Sequence, residues 1–292
     1  MNKSKENRLQ WHPACFAALN LEFLENRDDL EFLQEQTVNE LPLRIDALII
    51  KKTQNCKIKN EIGEIFRWYN LVEYKSPDDE LSFNTFLKGI AEVYLYKIKQ
   101  EKTRIDSYTL SFIRTRKPVV LFGVLKKHGF SISEKYSGIY YVSGRNLVPI
   151  QIVVSSKISG KEHIWLNSLT KKLSMAQAKE LVTTTNELEG KKNKEFADAV
   201  WEIVTRSNKE LIEKMREENI MCKAMAEIFK PEIDAAVEAA VEATTVTVRE
   251  NACNDKGMQV FKNMIKRGFS REDAQAMTEI SDELVERALA EC

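Results

Sequence analysis

An aspartate stands inside an apolar, β-branched run. Leu43-Arg44-Ile45-Asp46-Ala47-Leu48-Ile49-Ile50 reads as a strand covered on both faces, because near-continuous Ile and Leu is the pattern of a doubly buried strand. An unpaired carboxylate in those surroundings is expensive to bury. Asp46 therefore needs a partner, a proton or a metal, and the rest of the chain must fold so as to bring one.

A second short strand, Leu71-Val72-Glu73-Tyr74-Lys75, is closed by Ser76-Pro77-Asp78-Asp79, where Pro77 stops the ladder and the polar residues suit a turn. The strand period of two puts Glu73 and Lys75 on one face and Tyr74 on the other. If the two strands are neighbours, Asp46, Glu73 and Lys75 converge. Two carboxylates suit a hard cation such as magnesium, which takes oxygen ligands and keeps several waters. Such an ion polarises a phosphoryl oxygen and acidifies a bound water. A nearby ammonium orients that water or stabilises the charge developing on phosphate. These are the parts of phosphodiester hydrolysis. Taken alone, a Glu-x-Lys triplet is usually a salt bridge or a pair of edge charges; its union with Asp46 gives it weight.

Around these strands the pattern predicts one long helix over residues 11–36, from the spacing of Phe16, Leu19, Phe23, Leu30 and Leu33, with a break at Asn39-Glu40-Leu41-Pro42. A helix follows from Ser82, its N-cap, to Gln100. Next come a strand at 108–114, a helix over 119–128 ended by Gly129, a hairpin of 131–136 with 138–143, and a strand at 149–155. Mixed α/β architecture follows. After residue 175 the strand signals stop: 175–189, 194–228 and 231–250 read as helices, with Pro231 at a first turn. Residues 261–291 read as two or three short helices, and Ser270-Arg271-Glu272-Asp273 resembles a capping box. The boundary is expected near residues 170–190, drawn as a catalytic domain of 1–170 and a helical region of 171–292.

Composition bounds the function class. Of 292 residues 43% are hydrophobic and 30% charged, which excludes a disordered chain. No apolar run reaches the roughly 20 residues of a membrane span. The polar start, Met1 to Arg8, lacks a signal-peptide core, so a cytoplasmic location is expected. Five scattered cysteines without a C-x-x-C pair (Cys15, Cys56, Cys222, Cys253 and Cys292) argue for reduced, mostly buried thiols. The formal net charge is zero, yet residues 1–170 carry an excess of about five positive charges and the remainder the opposite excess.

At this point the chain resembles a known family. Asp46 followed by Glu73-Tyr74-Lys75, with acids in a preceding helix and a helix directly after, resembles the PD-(D/E)XK nuclease superfamily. Trp11-His12-Pro13-Ala14, the Leu43–Lys52 stretch, Val72–Asp79 and Pro149-Ile150-Gln151-Ile152-Val153-Val154 resemble its bacterial recombination-promoting nuclease and transposase-like branch. The resemblance spans most of residues 11–170. It implies a restriction-endonuclease-like core, a mixed sheet flanked by helices, with an α-helical C-terminal region. It implies magnesium, or manganese, held by Asp46, Glu73 and the Tyr74 carbonyl, with Lys75 as the catalytic cation. The helix acid would be Glu22, with Glu25 second. The expected partner is DNA, and a homo-oligomer through the helical region is a further expectation. The proline of the motif's name does not directly precede Asp46; Ile45 does, and Pro42 is offset.

Candidates to hold the phosphate backbone are Lys51, Lys52, Arg114, Arg116 and Lys117, together with Lys57, Lys59, Lys126 and Lys127. For any one of them a solvated surface is the simpler reading. His12, His128 and His163 show no metal-ligand spacing, and the four tryptophans read as packing residues. Gln151 suits a structural hydrogen bond or a substrate contact equally. The segment 264–285 reads as a helix-turn-helix or as a packing element, its acidic second half opposing DNA.

Overall fold

The strands carrying Asp46 and Glu73 are neighbours. In the computed structural model, which describes residues 11–37, 44–53 and 56–290, β2 (Arg44–Lys51) pairs antiparallel with β3 (Tyr69–Lys75), Ala47 opposite Val72 and Leu48 opposite Leu71. The break expected at 39–42, Leu43 and Cys292 lie outside the described residues. β3 runs parallel to β4 (Tyr108–Arg114), and β4 parallel to β7 (Ile150–Val154). The hairpin β5 (Ser131–Tyr136) and β6 (Ile139–Ser143) adds antiparallel strands beyond β7. On the far edge β1 (Leu30–Thr37) pairs antiparallel with β2, so the mixed sheet has seven strands in the order β1-β2-β3-β4-β7-β6-β5.

The strand β1 corrects the expected helix over 11–36. Helix α1 stops at Glu22 (Trp11–Glu22), and a 3-10 turn at Leu24–Asn26 follows. Asn26 fixes the break through a distant segment: its side chain donates to Lys57 O at 3.2 Å and accepts from Lys59 N at 3.1 Å. Leu30 to Thr37 then hydrogen-bond to β2 rather than to themselves. Apolar spacing cannot separate the two outcomes here, because Leu30 and Phe32 fit a strand as well as Leu30 and Leu33 fit a helix.

Helix α2 (Phe83–Lys99) covers one face of the sheet. Ser82 caps it, its hydroxyl accepting from Thr85 N at 3.2 Å. Phe86, Val93 and Tyr96 are buried in one cluster with Leu48, Leu71, Leu110 and Phe112, which is the periodic apolar face of an amphipathic helix laid on a sheet. Gly89 permits the close approach: a Cβ there would stand 2.6 Å from the Phe112 ring. Helix α3 (Val119–Lys127) joins the same layer. On the opposite face a buried polar layer ties strand to strand. Thr109 donates to Asn70 at 2.7 Å, and Gln151 donates to Ser111 Oγ and to Ile62 O, both at 2.8 Å. That hydrogen bonding makes Gln151 a structural residue.

Beyond the sheet come α4 (Ile164–Asn167), α5 (Met175–Asn186), α6 (Lys191–Ser207) and α7 (Lys209–Glu217). The expected 194–228 helix is broken at Asn208, whose side chain accepts from Leu173 N at 3.1 Å and donates to Thr170 O at 2.8 Å. It is broken again at Asn219, in the left-handed region with φ 55°. Helix α8 (Lys223–Lys266) runs straight through Pro231, which therefore lies inside a helix rather than at a first turn; the Ala- and Glu-rich flanks are strong helix formers. The chain divides into two compact units, Met1–Ile228 and Phe229–Cys292, not near residue 170. The reason is α6, which packs on α1 and so belongs with the sheet. In the second unit α8 meets α9 (Arg271–Thr278) and α10 (Asp282–Ala290) around Met258, Phe261, Ala274 and Val285. Ser270 caps α9, accepting from Asp273 N at 3.1 Å. Cys15 and Cys222 are buried, while Cys56 is half-buried and Cys253 exposed. Among the described residues, no helix is long and apolar enough to cross a membrane.

Candidate active site

Because β2 opposes β3, the start of β2 lies beside the end of β3. Continuing the register by one residue from Ala47 and Val72 sets Asp46 opposite Glu73. Both stand at the carboxyl end of the parallel strands β3, β4 and β7, where crevices of open α/β sheets collect ligands. Asp46 is fixed by the backbone: its Oδ2 accepts from Tyr74 N at 2.8 Å. Glu73 is 5% exposed, and its Oε1 accepts from Lys75 Nζ at 2.6 Å. Burial and the neighbouring Asp46 push the Glu73 carboxyl up to about 7, with Lys75 pulling the other way. One partly buried lysine does not offset two facing acids, so this spot calls for more positive charge.

Two residues that the sequence reading left out also reach it. His12, at the start of α1, has Nδ1 3.1 Å from Asp46 Oδ1. Asp46 holds that imidazole above its usual value, burial opposing and Glu73 adding to the rise. The ring also sits edge-on to Tyr74, centroids 5.9 Å apart. From α2 comes Glu92, 3% exposed and 3.3 Å from Lys88 Nζ. Burial raises its carboxyl, and Asp46 adds to the rise while Lys88 and Lys75 oppose it. No spacing rule marks either: His12 lies 34 positions before Asp46, and Glu92 is one acid among many on helices. The signal available was the place of Glu92 on the α2 face that carries Val93 and Tyr96.

Glu22 is elsewhere. It lies ten residues beyond His12 on α1, about 15 Å along the axis. Its buried carboxylate accepts from Leu166 N at 2.9 Å and stands 3.0 Å from His163 Nδ1. The helix acid expected at the constellation is thereby corrected: α1 sends His12 there instead. Glu25 is exposed and paired with Lys59 at 2.8 Å. No protein-family model, no curated protein and no solved structure matches this chain. The site must therefore be read from its own chemistry.

The cations divide by position. Arg114 ends β4 beside Lys75 in the parallel register; burial lowers its guanidinium, and among the described residues its Nε has no hydrogen-bond partner. Arg116 and Lys117 follow it, exposed, Lys117 lying over the Tyr140 ring at 4.7 Å. These three are at the Asp46–Glu73 end. Lys51 and Lys52 are not: Lys51 is five residues along β2, about 17 Å from Asp46, beside Arg67 and Trp68. Lys126 and Lys127 lie in the last turn of α3.

Among the described residues, no three His, Cys, Asp or Glu side chains form a ready cage for an ion. Magnesium does not ask for one, since it is commonly bound through one or two carboxylates, with water and substrate completing its shell. Asp46, partly exposed, and Glu73, buried, are short of positive charge and fit that demand.

Proposed function

We propose that this chain is a magnesium- or manganese-dependent DNA endonuclease with a restriction-endonuclease-like core of PD-(D/E)XK type. The observation that carries the reading is the meeting of Asp46, Glu73 and Lys75 at the carboxyl end of three parallel strands, with Glu73 buried and its carboxyl raised to about 7. The run α1-β1-β2-β3-α2-β4, a mixed sheet flanked by helices, agrees with the fold that the resemblance implies. By the same resemblance the role is cleavage tied to recombination or mobile elements.

Asp46 and Glu73 would hold the ion, and by the resemblance the Tyr74 carbonyl would add a third oxygen. When bound, the metal supplies Lewis acidity toward a phosphoryl oxygen and lowers the pKa of a water. Tyr74 N keeps Asp46 aimed at the site. Lys75, which donates to Glu73 at 2.6 Å, would orient the attacking water and stabilise the charge developing on the phosphate. Arg114, Arg116 and Lys117 hold the phosphate backbone on that rim. A P–O bond forms to water and the P–O bond to the leaving nucleoside breaks, with no covalent enzyme intermediate.

A nicking assay on supercoiled plasmid tests this. Purified protein with magnesium or manganese nicks the plasmid, and Asp46→Ala or Lys75→Ala lowers the rate about 100-fold or more. No nicking by the wild type, or equal nicking by wild type and variants, leaves a nuclease fold kept as a DNA-binding or oligomeric scaffold. Self-association is a second, compatible reading, favoured by exposed Val237, Val241 and Val248 on α8 (55%, 59% and 59% exposed). With Thr244 they recur at the alternating four- and three-residue spacing of a coiled-coil seam.

A further inference from the structure

The acid displaced from the catalytic spot builds something else. Glu22 ends α1, Glu61 opens the 3-10 turn Glu61–Ile65, and His163 precedes α4. All three line a cavity of about 390 Å³ whose wall also holds Glu25, Glu162, Lys59 and Asn60. His163 is 2% exposed. Its Nδ1 lies 3.0 Å from Glu22 Oε2, while its Nε2 is buried without a hydrogen-bond partner among the described residues, 3.9 Å from Glu61 Oε2. Asn60 holds the Glu22 carboxylate from behind at 3.4 Å, and Leu166 N at 2.9 Å fixes its other oxygen.

We propose that His163 Nε2 and Glu61 form a binding site for a divalent transition ion of the zinc class, with Glu22 as the carboxylate behind the histidine. A metal-bound histidine characteristically gives its other ring N–H to a carboxylate, which fixes the tautomer and raises ligand basicity. In the tautomer that puts the ring proton on Nδ1, toward Glu22, Nε2 turns a lone pair to the acid-lined cavity, and an ion there displaces the proton that the neighbouring Glu22 and Glu61 otherwise hold on the ring. An orphan nitrogen in a buried polar wall is costly, and a cation removes the cost. The spacing suits an ion. Ligand bonds of about 2.0–2.1 Å set N and O roughly 3.3 Å apart at a tetrahedral angle and about 4.1 Å apart when opposed, and 3.9 Å falls between. Imidazole selects this ion class over magnesium. The Glu61 side chain, 40% exposed, has freedom to close the remaining gap, and water completes the shell. The site is independent of the Asp46–Glu73 pair and does not rest on the nuclease reading. It would clamp together α1, the 3-10 turn and the α4 segment.

Cobalt(II) titration of the metal-free full chain is the test, run in an Asp46→Asn, Glu73→Gln background so that the other pair takes no ion. The expected result is one cobalt per chain with visible d–d absorbance, displaced by zinc, and a melting temperature that rises with zinc concentration. Glu61→Gln, a change at a half-exposed residue that leaves the fold intact, weakens binding at least tenfold; Glu22→Gln weakens it about 10–100-fold. His163→Gln abolishes it while circular dichroism stays that of the parent. Absence of a one-to-one cobalt complex overturns the proposal, as does binding unchanged by Glu61→Gln.

Discussion

At the scale of single residues, Glu73 makes the sharpest demand. Burial and Asp46 raise its carboxyl from 4.5 to about 7, so the folded chain keeps a proton on it that the unfolded chain has lost. Between about pH 4.5 and 7 the native state binds more protons, and the stability this group contributes is fully present below that window and lost as pH rises through it. The melting temperature of metal-free wild type, measured against Glu73→Gln, should therefore drift downward from pH 5 to pH 8. A constant difference would mean that Glu73 ionises as it does in water. Metal binding reads the same proton with the opposite sign, because the ion must displace it. Manganese affinity should climb about tenfold per pH unit between pH 5.5 and 7 and flatten above about 7.5. A profile flat across that range would place the ion elsewhere. The chemistry of Asp46, Glu73 and Lys75 was legible before any fold, since strand parity and the cost of a buried acid suffice. His12 and Glu92 were not, because a helix brings a residue to a sheet end by a crossing geometry that one-dimensional spacing does not encode.

Among the elements, α2 sets the site's rear wall, and its seat on β4 depends on Gly89. Gly89→Ala gains up to about 1 kcal/mol of helix propensity but drives a methyl to 2.6 Å from Phe112. That ring is fully buried and stacked on Phe86, centroids 5.5 Å apart, so it cannot swing aside. Urea unfolding should show a net loss of roughly 1–3 kcal/mol, and an equal or higher stability would mean that α2 rides farther from the sheet. The opposite face offers a second check. Gln151→Leu removes the donor to Ile62 O and Ser111 and should cost about 1–3 kcal/mol, with DNA binding unchanged, since Gln151 is fully buried. Elements with local signals were readable in the sequence: β4 and the Ser82 cap of α2 stand where the pattern placed them. β1 was hidden, because its end of the presumed helix is fixed by Asn26 reaching Lys57 and Lys59, a tertiary contact without a local mark. The split of α6 from α7 was hidden for the same reason, Asn208 being held by Thr170 and Leu173.

For the whole molecule, the division at residue 228 follows from α6. Ala197, Val200, Trp201 and Val204 are fully buried, and Phe196 meets Phe16 of α1 edge to face at 6.4 Å. A chain ending at residue 228 should melt in one cooperative transition and keep its plasmid-nicking rate per molecule. One ending at residue 190 should lose cooperative melting, because the part of α1 that packs on α6 loses its cover. If the 190-residue chain melts as sharply as the longer one, the sheet and α1 are self-sufficient, and the helical region is a separate addition as composition suggested. Sedimentation addresses the exposed valines of α8: the full chain should associate with rising concentration and the 228-residue chain should not. A shift in composition marks where strands end, but only packing tells which helices belong to the sheet, and that was not legible from the chain alone.

The central claim is that Asp46 and Glu73 share one divalent ion beside Lys75. Crystals grown with manganese and recorded at an anomalous wavelength test it directly. The expected result is one anomalous peak bonded to both carboxylates at about 2.0–2.2 Å, with Lys75 Nζ released from its 2.6 Å contact to Glu73. No peak between the two acids at millimolar manganese above pH 7.5, with Lys75 still bound to Glu73, would contradict the account.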